Sequence, residues 1–267
     1  MIIDSHVHIC NMIKFNMPKE MVIESMKKYN IDFSLVSNVE GAEVDCDQEP
    51  IKMEYQHSQE EINKSAIDFA RNNKDKIGVL LWAKPRNESA TSEFESLITD
   101  NRDVVYGIKV HPFHSKISFD SDKVEGYIKL AQKYNLPVLT HTANDESSDP
   151  KKVYKMALKY PEVKFIMGHM GLGTDNEEAI NYISELPNLY GDTTWVSPSK
   201  AIKMINKCGA HKLLFGSDNP IDGLDTYAHK DFYNIYFNEF KDKIGEESYN
   251  KIIYQNAINV FNIKIFE

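Results

Sequence analysis

Eight short runs rich in β-branched residues alternate with amphipathic segments along the whole chain, and this alternation restricts the fold more than any other feature. The runs begin near Ile2, Ile31, Ile77, Val104, Pro137, Val163, Leu189 and Lys212. Strands that alternate with helices form parallel sheets with crossover helices. The 267 residues suit one (β/α)8 barrel, which takes about 250 residues. We therefore predict an α/β fold, a single (β/α)8 TIM barrel that spans residues 1–267 as one domain.

Local capping signals mark where several of the helices begin. They are Ser58-x-x-Glu61, Asp149-Pro150 and Ser197-Pro198. The first is a capping box, and the other two place a polar N-cap before a first-turn proline. The run from Glu40 to His57 has little periodicity and is predicted to be a long loop on the catalytic face. Such a loop is either functional or a tolerated surface insertion.

Charge and cysteine usage exclude several classes of protein. Acidic residues outnumber basic residues 40 to 31, for a formal net charge of −9, so nucleic acid is not expected as a partner. Cys10, Cys46 and Cys208 lie far apart, which indicates neither a disulfide framework nor a thiolate zinc site. No apolar stretch approaches the roughly 18 residues that a membrane span needs, and no signal-peptide pattern is present. We expect a cytoplasmic protein with no membrane partner.

Metal-competent side chains recur where the apolar runs end. His6 and His8 close the first run, and because side chains alternate along a strand, they project from one face. The later candidates are Lys109 and His111 in GIKVHP, His141 in LTHTAN, His169 in MGHMG and Asp218 in GSDNP. Barrel active sites are built at the C-terminal ends of strands. A single buried histidine is as often a hydrogen-bonded core residue, but the joint placement indicates a shared site.

Imidazole and carboxylate groups without a thiolate suit zinc first, and also manganese, iron, cobalt or nickel. We predict one divalent transition metal bound by His6, His8, His141 and Asp218, with an open position for water. Zinc lowers the pKa of its bound water to about 7, so hydroxide is present at neutral pH. Asp218 is also the candidate proton acceptor. His169 either polarises a substrate carbonyl or completes the metal shell.

The motifs DSHVH, GIKVHP, THT, GHMG, GSDNP and the closing NAINVF together resemble the amidohydrolase superfamily of metal-dependent (β/α)8 barrels. The resemblance covers nearly the whole chain and is greatest to the branch that includes aminocarboxymuconate-semialdehyde decarboxylase. It implies that His6, His8, His141 and Asp218 match the ligands of a mononuclear metal site. It also implies that His169 contacts the substrate or the attacking water.

Strand four is where the chain departs from the binuclear members of that superfamily. Those members carry a carboxylated lysine or a glutamate there, which bridges two metals. Lys109 stands at this position, so a carboxylated lysine that binds a second metal is one alternative. A second metal is the less expected outcome. The alternative is a lysine that forms an ion pair inside the barrel, for example with Asp4. His111 lies on the same face, nearer the mouth, and is a candidate substrate contact or extra ligand.

Two more residues are candidate substrate contacts. Arg86 follows strand three, where a guanidinium can bind a carboxylate in bidentate fashion, unless it is a solvated loop charge. Trp195 ends strand seven and either stacks on a flat substrate or packs against the protein. His114 and His229 have no spacing argument and are predicted to be surface residues.

The first functional expectation is a metal-dependent hydrolase that attacks an amide, ester or lactone carbonyl of a small molecule. The alternative is a lyase that decarboxylates or hydrates a small unsaturated carboxylic acid at the same metal. A non-catalytic metal-binding barrel is the third reading. A TatD-like nuclease is disfavoured, because strand four lacks the expected glutamate. The expected partner is a small-molecule substrate, and carboxylates are among the candidates. A homodimer is left open.

Overall fold

The structure, a computed structural model, describes residues 1–12, 15–225 and 232–264. It is a mixed α/β fold built on one curled nine-stranded sheet. The strands are β1 Ile3–Met12, β2 Phe15–Met17, β3 Phe33–Asn38, β4 Ile77–Trp82, β5 Val105–Val110, β6 Val138–Ala143, β7 Phe165–Leu172, β8 Leu189–Asp192 and β9 Leu213–Leu214. Their order in the sheet is β2-β1-β3-β4-β5-β6-β7-β8-β9.

Eight of these strands are parallel, and each begins within two residues of a predicted run. The short strand β2 was not predicted. It pairs antiparallel with the end of β1, where Cys10 lies opposite Met17. The hairpin therefore extends the first strand past its last histidine.

Helices connect the strands and cover the outer face of the sheet. The α-helices are Lys19–Tyr29, Gln59–Asn72, Ser92–Thr99, Pro112–Ser115, Asp122–Tyr134, Pro150–Lys159, Glu177–Glu185, Pro198–Cys208, Phe232–Asn234, Phe240–Ile244, Glu246–Asn250 and Asn256–Phe261. Two π-helical turns, Ile235–Glu239 and Lys251–Gln255, continue the last helices, and 3₁₀ turns lie at Val39–Gly41, Met53–Tyr55 and Ala210–Lys212. Within the described ranges, no helix has both the length and the apolar character to cross a bilayer.

The predicted helix starts are confirmed. The Ser58 side chain accepts from the backbone N–H of Glu61, and the Glu61 side chain accepts from the backbone N–H of Ser58, which completes the capping box. Asp149 accepts from the backbone N–H of Lys151 at 2.8 Å, ahead of a helix that begins at Pro150. These local signals hold because they depend only on residues within one turn.

Two apolar layers fix the sheet. The larger layer lies between the strands and the surrounding helices. A smaller cluster fills the N-terminal end of the sheet interior and is covered by the last helix, through Ala257, Val260 and Phe261. That end is filled by side chains, and the cavity lined by the predicted site residues lies toward the C-terminal ends of the strands.

Backbone hydrogen bonds also link β1 with the segment that follows β9. The Ser5 N–H donates to the Phe215 carbonyl at 3.0 Å, and the His8 N–H donates to the Asn219 carbonyl at 2.8 Å. The Asp218 N–H donates in the other direction, to the His6 carbonyl, at 2.8 Å. The first strand and the end of the sheet are therefore joined next to the His6-x-His8 pair.

Candidate metal centre and active site

His6 and His8 project from β1 into the same buried space. Their ring centroids are 5.1 Å apart, and their exposed fractions are 1% and 4%. The Ser37 hydroxyl lies 3.0 Å from His8 Nδ1, which leaves His8 Nε2 directed at Asp218. The alternation along the strand thus places both imidazoles as predicted.

Asp218 brings the two histidines together. One carboxylate oxygen, Oδ1, lies 2.9 Å from His8 Nε2 and 3.4 Å from His6 Nε2. The other, Oδ2, accepts a hydrogen bond from Trp195 Nε1 at 2.7 Å. Burial by itself would raise the pKa of Asp218, but the hydrogen bond from His8 favours the ionised form, and that pKa lies well below its ordinary value. Asp218 is therefore a carboxylate at neutral pH.

His141 and His169 complete the group of imidazoles. Their ring centroids are 4.7 Å apart, and the ring of His169 lies 5.2 Å from that of His6. The Nδ1 atoms of both residues are buried and have no hydrogen-bond partner in the described part of the chain. Buried polar atoms are normally satisfied, so two such nitrogens beside a carboxylate call for a ligand.

The donor set fits a metal ion. His6, His169 and Asp218 each offer a ligand atom, and these atoms all lie within 4.8 Å of one another. Buried imidazole nitrogens and one carboxylate are the ligands that divalent transition metals prefer. This group contains two of the four predicted ligands, His6 and Asp218, together with His169. The other two predicted ligands lie next to it: the His8 ring is 5.1 Å from the His6 ring, and the His141 ring is 4.7 Å from the His169 ring.

Neutral imidazoles are the ligand form, and burial keeps these histidines neutral. Burial is the first cause in each case: it places the pKa of His6, His111 and His141 well below the ordinary value and lowers the pKa of His8. The pKa of His169 falls to about 4. At neutral pH these side chains are uncharged, and each ring has one protonated nitrogen and one nitrogen with a lone pair.

Lys109 and Asp192 contact the two nitrogens of His6. Lys109 is fully buried, and its Nζ lies 2.6 Å from His6 Nε2, while burial lowers its pKa to about 8. Asp192 Oδ2 lies 2.7 Å from His6 Nδ1. The contact predicted between Lys109 and Asp4 is not the one formed. Asp4 instead accepts hydrogen bonds from Ser217 and from the His6 backbone.

Asp192 is a site residue that the sequence reasoning missed. It ends β8, the seventh of the eight parallel strands, and the strand-end argument that found His141 and His169 applies to it equally.

Three site residues adopt left-handed backbone conformations. The φ angles of His169, Trp195 and Asp218 are 68°, 57° and 64°. Non-glycine residues in this region are uncommon and concentrate at functional sites. The tight bends at the strand ends aim these side chains at the shared space.

A cavity of about 350 Å³ opens over the metal group. Its wall combines the site histidines, Asp218 and Trp195 with a larger apolar part. The apolar residues include Met17, Val39, Phe113, Leu172 and Ile221, and the polar residues Asn144 and Asp145 also line it. The volume and the apolar wall suit a small organic molecule.

The candidate substrate contacts are placed differently. His111 lines the cavity and stacks on His141, with ring centroids 4.2 Å apart and planes at 14°. Trp195 also lines the cavity, where it donates to Asp218. Arg86 lies outside the set of described residues that line the cavity, and its backbone N–H donates to Glu43.

The prediction that His114 lies at the surface is wrong. His114 is 9% exposed and lines the cavity, and its Nδ1 lies 2.9 Å from the Val44 carbonyl. The backbone N–H groups of Glu43 and Val44 both donate to the His114 carbonyl. The long loop after β3 therefore covers the short helix that carries this histidine. His229, the other residue predicted at the surface, lies outside the described residues.

The site combines imidazoles and one carboxylate at the C-terminal ends of parallel strands in a mixed α/β fold, which is a placement typical of metal-dependent enzymes. The family model described as amidohydrolase matches residues 3–263, and the chain belongs to that family. Among curated proteins, none matches the chain.

Solved structures of decarboxylases share the fold over almost the whole chain. The 5-carboxyvanillate decarboxylase of Sphingomonas paucimobilis is 12% identical, with a TM-score of 0.72 and coverage of 99% of both chains. A 2,6-dihydroxybenzoate decarboxylase in complex with 2,6-dihydroxybenzoate is 15% identical, with a TM-score of 0.72 and coverage of 98% of this chain and 99% of that one. The 5-carboxyvanillate decarboxylase of Novosphingobium aromaticivorans, with bound manganese and 3-methoxy-4-hydroxy-5-nitrobenzoic acid, is 12% identical, with a TM-score of 0.74 and coverage of 98% and 97%.

These findings correct the first functional expectation. Hydrolysis of an amide, ester or lactone is wrong as the main reading, because 5-carboxyvanillate and 2,6-dihydroxybenzoate decarboxylases are among the solved structures with this fold and favour the alternative. The predictions of the superfamily, an enzyme and a divalent metal are supported, whereas zinc in particular is not. A cytoplasmic location, a homodimer and the lack of a nucleic-acid partner stay predictions.

Proposed function

We propose that the protein is a metal-dependent, non-oxidative decarboxylase of a small aromatic or otherwise unsaturated carboxylic acid. The observation that carries this proposal is the convergence of neutral imidazoles and the Asp218 carboxylate at the base of a single cavity with an apolar wall. The decarboxylase structures that share the fold over 98–99% of this chain support the same reaction class.

We further propose that residues 1–267 form one closed (β/α)8 barrel. The hydrogen bonds between β1 and residues 215–219 support closure, since they supply the contact that an open sheet lacks. In such a barrel the cavity is the mouth at the C-terminal end of the strands.

The ligands proposed for the ion are His6, His8, His141 and Asp218, with His169 beside them. Manganese(II) is the ion to test first, because a structure of this fold carries it. When bound, the ion supplies positive charge that attracts a carboxylate and a neighbouring oxygen of the substrate. Lys109 adds a buried amine at the same end of the cavity.

Side chains of the protein carry out the proton transfer and contact the substrate. Decarboxylation breaks one C–C bond, releases CO₂ and places a proton on the carbon that carried the carboxylate. The Asp218 carboxylate lines the cavity, and we assign to it the role of accepting a proton from an acidic substrate hydroxyl or a water and delivering that proton to the carbon. Trp195 fixes the Asp218 carboxylate for this transfer through its 2.7 Å hydrogen bond. His111 stacks on His141 and on Trp82 and lines the cavity, where it is a candidate substrate contact.

The test loads the purified protein with Mn²⁺ and incubates it with 2,6-dihydroxybenzoate, 5-carboxyvanillate and related hydroxybenzoates. We expect CO₂ release and, in D₂O, one deuterium on the carbon that lost the carboxylate. Asp218→Asn should lose about 10²- to 10⁴-fold in turnover, which is the usual contribution of a general acid or base. Asp149→Asn keeps an N-cap outside the cavity wall and should retain wild-type turnover.

Two results would contradict the proposal. One is the absence of CO₂ from the whole panel although one Mn²⁺ is bound per chain. The other is undiminished turnover in Asp218→Asn, which would remove Asp218 from the reaction.

A further inference from the structure

Asp192 accepts hydrogen bonds from two backbone N–H groups and contacts one imidazole nitrogen. Its Oδ1 accepts from the backbone N–H of His169 at 2.9 Å and from that of Thr194 at 3.1 Å. Its Oδ2 lies 2.7 Å from His6 Nδ1. Asp192 is completely buried and His6 is 1% exposed, so water does not compete for these contacts.

The opposite nitrogen of His6 gives an independent indication of where the proton lies. Lys109 Nζ is 2.6 Å from His6 Nε2 and forms the hydrogen bond there, whereas the Asp218 Oδ1 atom lies farther away, at 3.4 Å. An ammonium group only donates hydrogen bonds, so Nε2 must accept and the ring proton must lie on Nδ1. The Thr194 hydroxyl, 3.3 Å from Nδ1, can donate or accept and does not decide the tautomer.

We propose that Asp192 is a positioning residue that holds His6 in the Nδ1-protonated tautomer and leaves the Nε2 lone pair for the metal ion. The inference rests on the proposed function, since it takes His6 as a ligand. Because Asp192 also binds the backbone of His169, one carboxylate aligns two imidazoles of the site. The backbone at Gly168 also lies close to the ring, because a Cβ added there would be 3.0 Å from His6 Cε1.

Asp192→Asn tests the proposal because asparagine has nearly the same shape as aspartate but replaces one acceptor oxygen with a donor NH₂ group. The two backbone N–H groups require an acceptor at Oδ1, so the amide oxygen occupies that position. The amide NH₂ then faces His6 Nδ1 and donates to it. The ring proton must move to Nε2, where it blocks the metal and opposes Lys109.

The first measurement is long-range ¹H–¹⁵N NMR of the metal-free protein labelled at histidine, with the His6 signals assigned from a His6→Gln spectrum. Wild type should show a protonated Nδ1 and a bare Nε2, and Asp192→Asn should show the reverse. The second measurement is a Mn²⁺ titration followed by electron paramagnetic resonance. The variant should bind Mn²⁺ about 10- to 100-fold more weakly, the usual effect of removing a partner of a ligating histidine.

Asp4→Asn is the matched control. Asp4 is also completely buried, and it accepts from Ser217 and from the His6 backbone N–H, but not from the imidazole. This variant removes a buried carboxylate from the same region and should keep the wild-type tautomer and nearly the wild-type Mn²⁺ affinity. An equal loss of affinity in both variants would show a general charge effect and overturn the positioning role.

The wild-type spectrum is decisive even if Asp192→Asn fails to fold. A proton on Nε2 of His6 in wild type, or an unchanged tautomer in a folded Asp192→Asn protein, overturns the inference alone. Failure of the wild-type protein to bind Mn²⁺, with the expected tautomer present, would instead overturn the proposed function.

Discussion

A methyl group added at Gly216 tests how rigidly His6 is held. The Cβ of an alanine there would lie 2.8 Å from Thr194 Oγ1 and 2.9 Å from His6 Cβ. Both distances are shorter than real Cβ contacts, and His6 Cβ is the root of its side chain, which cannot swing aside. The backbone at Gly216 is outside the left-handed region, so the substitution acts through these contacts and not through backbone strain.

The size of the effect follows from overpacking. Forcing extra carbon into a well-packed core costs about 1–3 kcal/mol. Since 1 kcal/mol shifts Tm by about 2–4 °C in a domain of about 150–250 residues, we expect a fall of about 6 °C for Gly216→Ala. Displacement of His6 also moves its Nε2, so Mn²⁺ should bind about tenfold more weakly or worse.

Thermal unfolding by circular dichroism and a Mn²⁺ titration measure the two effects. Gly126→Ala is the control, because Gly126 lies within the helix Asp122–Tyr134 and its new Cβ would meet Ala90 Cβ at 3.2 Å. Alanine in a helix is favoured over glycine by about 1 kcal/mol, so the Tm of this variant should stay or rise. If Gly216→Ala kept both the wild-type Tm and the wild-type Mn²⁺ affinity, the reasoning that the site is rigid around His6 would be refuted.

Three further predictions concern the metal anchor, the Asp218 carboxylate and pH. His6→Ala should lose most bound metal by elemental analysis. Trp195→Phe removes the hydrogen bond to the Asp218 carboxylate, and a hydrogen bond to a charged group contributes about 1.5–3 kcal/mol. For a substrate that the protein decarboxylates, kcat/KM should therefore fall about 10- to 100-fold. Burial raises the pKa of Glu43 from 4.5 to about 7, so the folded state retains a proton that the unfolded state has released, and Glu43 lowers stability as pH rises between these values. Chemical denaturation of Glu43→Gln should remove about 3 kcal/mol of that pH dependence.

Distinct outcomes would contradict each of them. About one metal per chain in His6→Ala would exclude His6 as the anchor. Unchanged kinetics in Trp195→Phe would show that the carboxylate needs no second partner. An identical slope of stability against pH in wild type and Glu43→Gln, from pH 5 to pH 7, would show that Glu43 titrates normally.

Local information was enough to predict the strands and most of the site. The β-branched runs and capping residues act within a few positions, so the eight parallel strands begin within two residues of the predicted starts. The strand-end argument needs only those starts, and it selected His6, His8, His111, His141, His169 and Asp218, which the structure brings to one cavity or its base. The resemblance to the amidohydrolase superfamily is confirmed by the family match.

Contacts between distant segments were not predictable in the same way. Asp192 and His6 are 186 positions apart, and their 2.7 Å contact depends on how the sheet curls. His114 is buried because the loop after β3 folds over it, and Arg86 lies away from the cavity because its loop is held by Glu43. Trp195 lines the cavity, and its hydrogen bond to Asp218, 23 positions away, was not predicted.

The reaction class was also beyond the sequence, and for a chemical reason. The same imidazoles and carboxylate can activate a water for hydrolysis or bind a carboxylate for decarboxylation, so the ligand motifs do not distinguish the two. The sequence by itself determined the alternating strands, the strand-end histidines and the family, because these follow from short-range pattern. Only the tertiary structure decided which partners surround each histidine and how large the cavity above them is, because those distances result from packing segments that lie far apart in the chain.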